Sequence, residues 1–233
     1  SGDWSSDVCS SDLIDDELKK RIFTSIILIL LLIFMFYYSY ILIISLIIVS
    51  IIVWIEFYGL ISKIFKKKNF KNKLLLFLFK SFSLIYLSLF SFLIVVAKFK
   101  NTSSELFVIY SLLVSINSDL GGLIIGKTFK GRKLTLISPN KTLSGSLGSF
   151  LFSLLLIPFF YQYFNNFEII TFIFITLLIS LVSQIGDLFI SYLKRKAKVK
   201  DTGDLLPGHG GFLDRLDGIL FAVPFGLILF NLL

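Results

Sequence analysis

Cysteine, histidine and methionine are nearly missing from this chain, with one of each in 233 residues. The lone cysteine, Cys9, excludes an intramolecular disulfide framework and any cysteine-built zinc site, and it argues against redox chemistry. Charge is scarce as well. Only 16% of residues are charged while 56% are hydrophobic, which excludes an ordinary soluble domain and points to a polytopic membrane protein. Acids are outnumbered 15 to 23, for a net charge of +8, so the basic residues face anionic lipid headgroups or a polyanionic substrate.

What is present in quantity is hydrophobic runs. The first thirteen residues, SGDWSSDVCSSDL, differ in character from the rest; we expect a foreign leader there, with the native start missing, and take residues 14–233 as a single membrane-embedded domain. About seven apolar segments follow: Ile22 to Tyr37, Ser39 to Tyr58, Leu74 to Val96, Leu106 to Ile125, Leu147 to Phe164, Ile169 to Ile190 and Leu216 to Leu233. Each is near the ~20 residues a helix needs to cross a bilayer, and the runs lack the alternation of a membrane barrel, so the expected fold is all-α.

Seven crossings put four basic clusters on one side. These are Lys19 to Arg21, the six lysines from Lys63 to Lys73, the group from Lys127 to Lys141, and the group from Lys194 to Arg215. Of the 23 basic residues only Lys80, Lys98 and Lys100 fall elsewhere, so the positive-inside rule makes the crowded side cytoplasmic. The lysines from Lys63 to Lys73 read most simply as a topology anchor, and Lys80 as a snorkelling side chain.

Two acids interrupt the apolar segments on that same side, Asp119 in INSDLGG and Asp187 in QIGDLFIS. A carboxylate at membrane depth costs roughly 2.5 to 3.5 kcal/mol, so each calls for a partner, a metal or a wet cavity. On a helix continuing from segment six, Asp187, Ser191, Lys194 and Arg195 share one face. Gly121, Gly122 and Gly126 would let a backbone or ligand come close to Asp119. The stretch from Lys127 to Gly148 offers a Ser138-Pro139 turn, Lys141 and Thr142, then glycines opening segment five, which suits phosphates although the Walker spacing is absent. The most polar stretch, Ser191 to Asp217, combines cations, acids and the only histidine.

Ser191, Lys194-Arg195, Lys200-Asp201, Gly203, Leu206-Pro207, His209-Gly210-Gly211, Asp214-Arg215 and Asp217 together resemble the C-terminal signature of the phosphatidate cytidylyltransferases, or CDP-diacylglycerol synthases. Asp119 with its glycines and the stretch from Ser138 to Thr142 resemble two further motifs of that family, and Glu56 resembles an acid near the end of an early helix. The likeness covers roughly residue 50 to the end and is strongest over 187–217. It implies a bacterial inner-membrane enzyme with a cytoplasmic-face site, joining CTP to phosphatidic acid to give CDP-diacylglycerol and pyrophosphate with magnesium, as one metal ion or two. It further implies Asp187 and Asp214 as metal ligands, and Lys194, Arg195, Lys200, His209 and Arg215 around the phosphates. Asp119, Ser138, Lys141, Thr142, Ser191 and Asp217 fall to the substrates. The chain departs from the family pattern at Leu143-Ser144, where an aromatic and a glutamate are usual, and at Leu120, where a threonine is usual.

Other readings compete. A cytidylyltransferase for another lipid phosphate and an inactive homologue are compatible with the same residues. A transporter fits less well, because the polar residues collect at one face of the membrane and do not run through it. Membrane lipids are expected partners, a homodimer is left open, and no nucleic acid is expected, since the aromatic residues are lipid-facing.

Overall fold

A computed structural model describes residues 26–66, 69–135, 138, 141–164, 167–203, 205 and 210–232. Among the described residues the regular structure is helical, apart from one isolated antiparallel bridge between Lys133 and Thr142. The helices are α1 (Ile26–Tyr37), α2 (Ser39–Ile64), α3 (Phe70–Lys100), α4 (Thr102–Phe129), α5 (Leu143–Leu154), α6 (Ile157–Phe160), α7 (Ile169–Ala197), α8 (Leu213–Leu216) and α9 (Ile219–Leu232). A 3-10 turn, Tyr161–Tyr163, follows α6. The seven apolar segments are helical over most of their described length, with breaks at Leu155–Leu156 in segment five and Asp217–Gly218 in segment seven.

Among the described residues five helical stretches are long and apolar enough to cross a membrane: Ser39–Ile64, Phe70–Lys100, Thr102–Phe129, Leu143–Tyr163 and Ile169–Ala197. The helix Ile26–Tyr37 is shorter, and α9 has 14 residues, about 21 Å at 1.5 Å per residue against a hydrocarbon core of ~30 Å. Between α3 and α4 only Asn101 is non-helical. Helix α3 continues to Lys100, with Lys98 and Lys100 in a last turn whose dipole favours cations, and the Asn101 side chain accepts the Ser104 N–H at 2.8 Å to open α4. Segment five is broken after Leu154, because Pro158 in the first turn of α6 cannot continue the hydrogen-bond ladder of α5.

Small hydroxyl residues hold α4 against α7. Ser115 and Ser183 share a hydrogen bond at 2.7 Å, Ser180 donates to Ser118 at 3.1 Å, and Tyr110 pairs with Thr176. Such pairs let helices approach in a bilayer, where apolar contact alone gives no preference over lipid. Helices α4 and α5 cross on glycine. A Cβ at Gly148 would stand 2.7 Å from the Gly121 carbonyl oxygen, so any side chain there pushes the helices apart. Pro224 inside α9 lacks the N–H that would have reached the Leu220 carbonyl, and the Tyr86 hydroxyl of α3 donates to that oxygen at 2.6 Å instead. Lys80 reaches over the rings of Trp54 and Tyr58 at 5.1 and 4.9 Å, in keeping with a side chain that lies along the bundle.

Candidate active site

The last third of α4, the first turns of α5, the last third of α7 and the α8 region surround a polar pocket of about 390 Å³. Its walls carry Asp119, Ser138, Lys141, Thr142, Asp187, Lys194, Asp214, Arg215 and Asp217, all of them singled out from sequence. Ser191 stands just behind Asp187. Arg195 and Lys200 are exposed and do not line the pocket. His209 lies outside the described residues, as do Asp204, Leu206, Pro207, Pro139 and Asn140.

Local chemistry places these groups. Thr142 caps α5, its hydroxyl accepting the Gly145 N–H at 3.1 Å. The chain before it folds back on itself: the Leu134 N–H donates to the Lys141 carbonyl at 2.7 Å and the Leu143 N–H to the Arg132 carbonyl at 2.9 Å. The Lys141 N–H donates to the Ser138 carbonyl at 3.1 Å, closing the turn expected at Ser138. This brings the Lys141 ammonium onto Asp187 Oδ2, while the Ser191 hydroxyl reaches Asp187 Oδ1 at 3.4 Å. Asp217 lies within hydrogen-bond reach of Asp187 and in the field of Asp119, and the Gly218 N–H donates to it at 2.9 Å. Three carboxyl groups therefore stand close together with Lys141 on one of them, and a bound proton or cation would relieve their mutual repulsion.

The second cluster has the opposite character. Lys198 adopts a left-handed conformation, φ 57°, which ends α7 and turns the chain back beside the helix. Thr202 then meets Asp214, whose Oδ2 accepts the Thr202 N–H at 2.8 Å, the Thr202 hydroxyl at 3.0 Å and the Gly211 N–H at 3.3 Å. With Oδ2 anchored, Oδ1 turns to the Lys194 ammonium at 2.7 Å on the pocket wall. Burial works to raise the Asp214 pKa, but the Lys194 and Thr202 hydrogen bonds and the lysine charge outweigh it and hold the carboxyl below the usual carboxylate value. Gly210, at φ +80°, occupies the left-handed region where a side chain would be strained.

Behind this loop sits a carboxylate that the sequence reading noted but did not place in the site. Glu56 of α2, 5% exposed, accepts the Phe212 N–H at 3.0 Å on Oε1, and the Leu213 N–H at 2.8 Å and the Thr202 hydroxyl at 3.0 Å on Oε2. One hydroxyl proton cannot serve Asp214 and Glu56 at once, so Thr202 is shared between them. The clue to Glu56 was an isolated acid inside an apolar helix. Thr202 gave no signal, since its partners lie 12 and 146 residues away.

Among the described residues no group of three or more His, Cys, Asp or Glu side chains is placed to hold a metal ion. The donor set still suits magnesium. That ion is commonly held by one or two carboxylates completed by substrate phosphates and water, not by an all-protein cage, and Asp187 and Asp214 both line the pocket, each with a lysine on one oxygen.

The family model for cytidylyltransferases matches residues 13–233. The chain belongs to the cytidylyltransferase family. Three bacterial relatives carry the name phosphatidate cytidylyltransferase. The protein of Staphylococcus aureus (strain COL) is 42% identical over 121 residues, covering 51% of this chain and 46% of the relative. That of Bacillus subtilis (strain 168) is 43% identical over 122 residues, covering 51% and 45%. That of Rickettsia typhi (strain ATCC VR-144 / Wilmington) is 42% identical over 132 residues, covering 52% and 57%. The chain thus spans about half the length of the curated relatives it matches.

Proposed function

We propose that this chain transfers the cytidylyl group of CTP to phosphatidic acid, giving CDP-diacylglycerol and pyrophosphate, at a pocket facing the cytoplasm of a bacterial membrane. The observation that carries this reading is one pocket at one end of an apolar bundle, holding Asp119, Asp187, Asp214 and Asp217 together with Lys141, Lys194 and Arg215. Counting α1 and α9 with the five longer spans gives seven crossings, which would put the basic clusters on that same side. The names of the relatives support the same reaction and the same lipid.

In the reaction, an oxygen of the lipid phosphate forms a bond to the α-phosphorus of CTP while the bond to the bridging oxygen of the β-phosphate breaks, and pyrophosphate leaves with that electron pair. A phosphate monoester has its second pKa near ~6, so at neutral pH the attacking oxygen is already ionised and needs no general base. The protein's task is therefore positioning and charge neutralisation. The polar start of α5, with Ser138, Lys141 and Thr142, receives the triphosphate. Lys194 and Arg215 receive the lipid phosphate, with Lys194 oriented by Asp214. Asp187 and Asp214 would hold magnesium, which when bound neutralises charge developing on pyrophosphate. Lys141 on Asp187 and Lys194 on Asp214 keep those carboxylates paired until a polyanion draws the ammonium groups away.

The test is release of pyrophosphate and CDP-lipid by the purified chain from CTP and phosphatidic acid, with and without magnesium. Product that requires all three components is expected. No product from folded protein, or product from a different lipid phosphate only, would overturn the reading.

A further inference from the structure

Beside the polar pocket runs a second, apolar chamber of about 320 Å³, enclosed by α1, α2, α3, α4 and the α8–α9 region. Along α4 it extends from Glu105 past Val108 and Leu112 to Ile116, twelve residues with a rise of about 16 Å, roughly half the ~30 Å hydrocarbon core. The polar pocket takes over one turn later, at Asp119. Arg215 lines both cavities. At the opposite end the lining includes the Lys98–Glu105 ion pair, and Lys98 also donates to the Phe36 carbonyl at 2.7 Å, so the floor at that end is polar.

We propose that this chamber receives one hydrocarbon tail of the lipid phosphate substrate, and that the Lys98–Glu105 floor limits the length of tail accepted. This rests on reading the polar pocket as the lipid-phosphate site. Arg215 carries the assignment: a residue whose planar guanidinium suits phosphate lines both the apolar slot, one leaflet deep, and the polar pocket. A lipid phosphate presents that same sequence, an anionic head followed by a hydrocarbon tail. The tail cannot advance past the floor without separating a partly buried ion pair, so extra methylenes are excluded by charge as well as by volume.

The test places a bulky side chain halfway down, as Leu112→Trp, with Ile85→Trp on the exposed outer face of α3 as control. Transfer from CTP is measured with dipalmitoyl and dioctanoyl phosphatidic acid. Leu112→Trp should raise KM for the long-tailed lipid roughly tenfold or more relative to the short-tailed one, leave KM for CTP unchanged, and be matched by no shift in the control. An equal effect on both lipids, or none, would overturn the proposal. Leu112→Ala, which enlarges the chamber, should move the preference the other way.

A binding readout separates this from the activity reading. With Trp4 and Trp54 replaced by phenylalanine, the fluorescence of the Leu112→Trp variant should be quenched saturably by phosphatidic acid brominated in its tails, with competition by the unbrominated lipid. Quenching indistinguishable from that of the Ile85→Trp control would refute a tail in the chamber. Saturable quenching without turnover would leave the chamber standing and refute the cytidylyl transfer.

Discussion

Glu56 and Asp187 are both acids set in apolar helices, and they have been put to opposite uses. Glu56 in α2 is consumed by architecture: two backbone N–H groups and a hydroxyl occupy its oxygens, and it is 5% exposed. Asp187 in α7 meets one lysine and a distant hydroxyl, with Asp217 and Asp119 nearby, and its side chain remains 24% exposed to the pocket. The difference teaches that burial of an acid in a membrane helix does not by itself mark chemistry. What separates the two is whether the carboxylate lines the pocket, as Asp187 does and Glu56 does not.

The comparison can be broken from the Glu56 side first. Glu56→Ala would strand the Phe212 and Leu213 N–H groups and should destabilise the protein by about 2–4 kcal/mol, read as a fall in melting temperature in detergent, with Glu56→Gln recovering part of it. Gly148→Val, which forces α4 from α5 and so opens the wall between Asp119 and Thr142, should cost about 1–3 kcal/mol and weaken CTP binding. Asp214 gives a pH signature. Its folded pKa is lowered, so its contribution to stability is present above the unfolded value near ~3.9 and is lost as the pH falls toward the lower folded value. Acid melts of Asp214→Asn should therefore show a flatter loss of stability below about pH 4 than the parent chain, and an equal slope would contradict the Lys194 and Thr202 assignment. Lys66→Ala, in the loop read as a topology anchor, should change transfer by less than about twofold.

The seven apolar segments were legible from hydropathy, but their ends were not. Hydropathy reports the part of a helix that lipid must cover, while the hydrogen-bond ladder runs on into the polar zone. So α2 continues from Tyr58 to Ile64, α3 from Val96 to Lys100 and α7 from Ile190 to Ala197. The last extension was foreseen for Ser191 and Lys194, because their spacing from Asp187 matched one helix face. The pocket's membership was largely readable from clustered charge and from the family signature. Its pairings were not, since Lys141 and Asp187 stand 46 residues apart and Glu56 and Leu213 stand 157 apart, and only the tertiary packing of α2, α5 and α7 joins them.

The sharpest test of the division between the two acids is the turnover of Asp187→Asn, normalised to folded protein by its melting curve. The expected result is a melting temperature near that of the parent and a loss of cytidylyl transfer on the order of 10²–10³-fold or more. Near-normal transfer, or a loss of folding comparable to that of Glu56→Ala, would place Asp187 with the architecture and contradict its role in the chemistry.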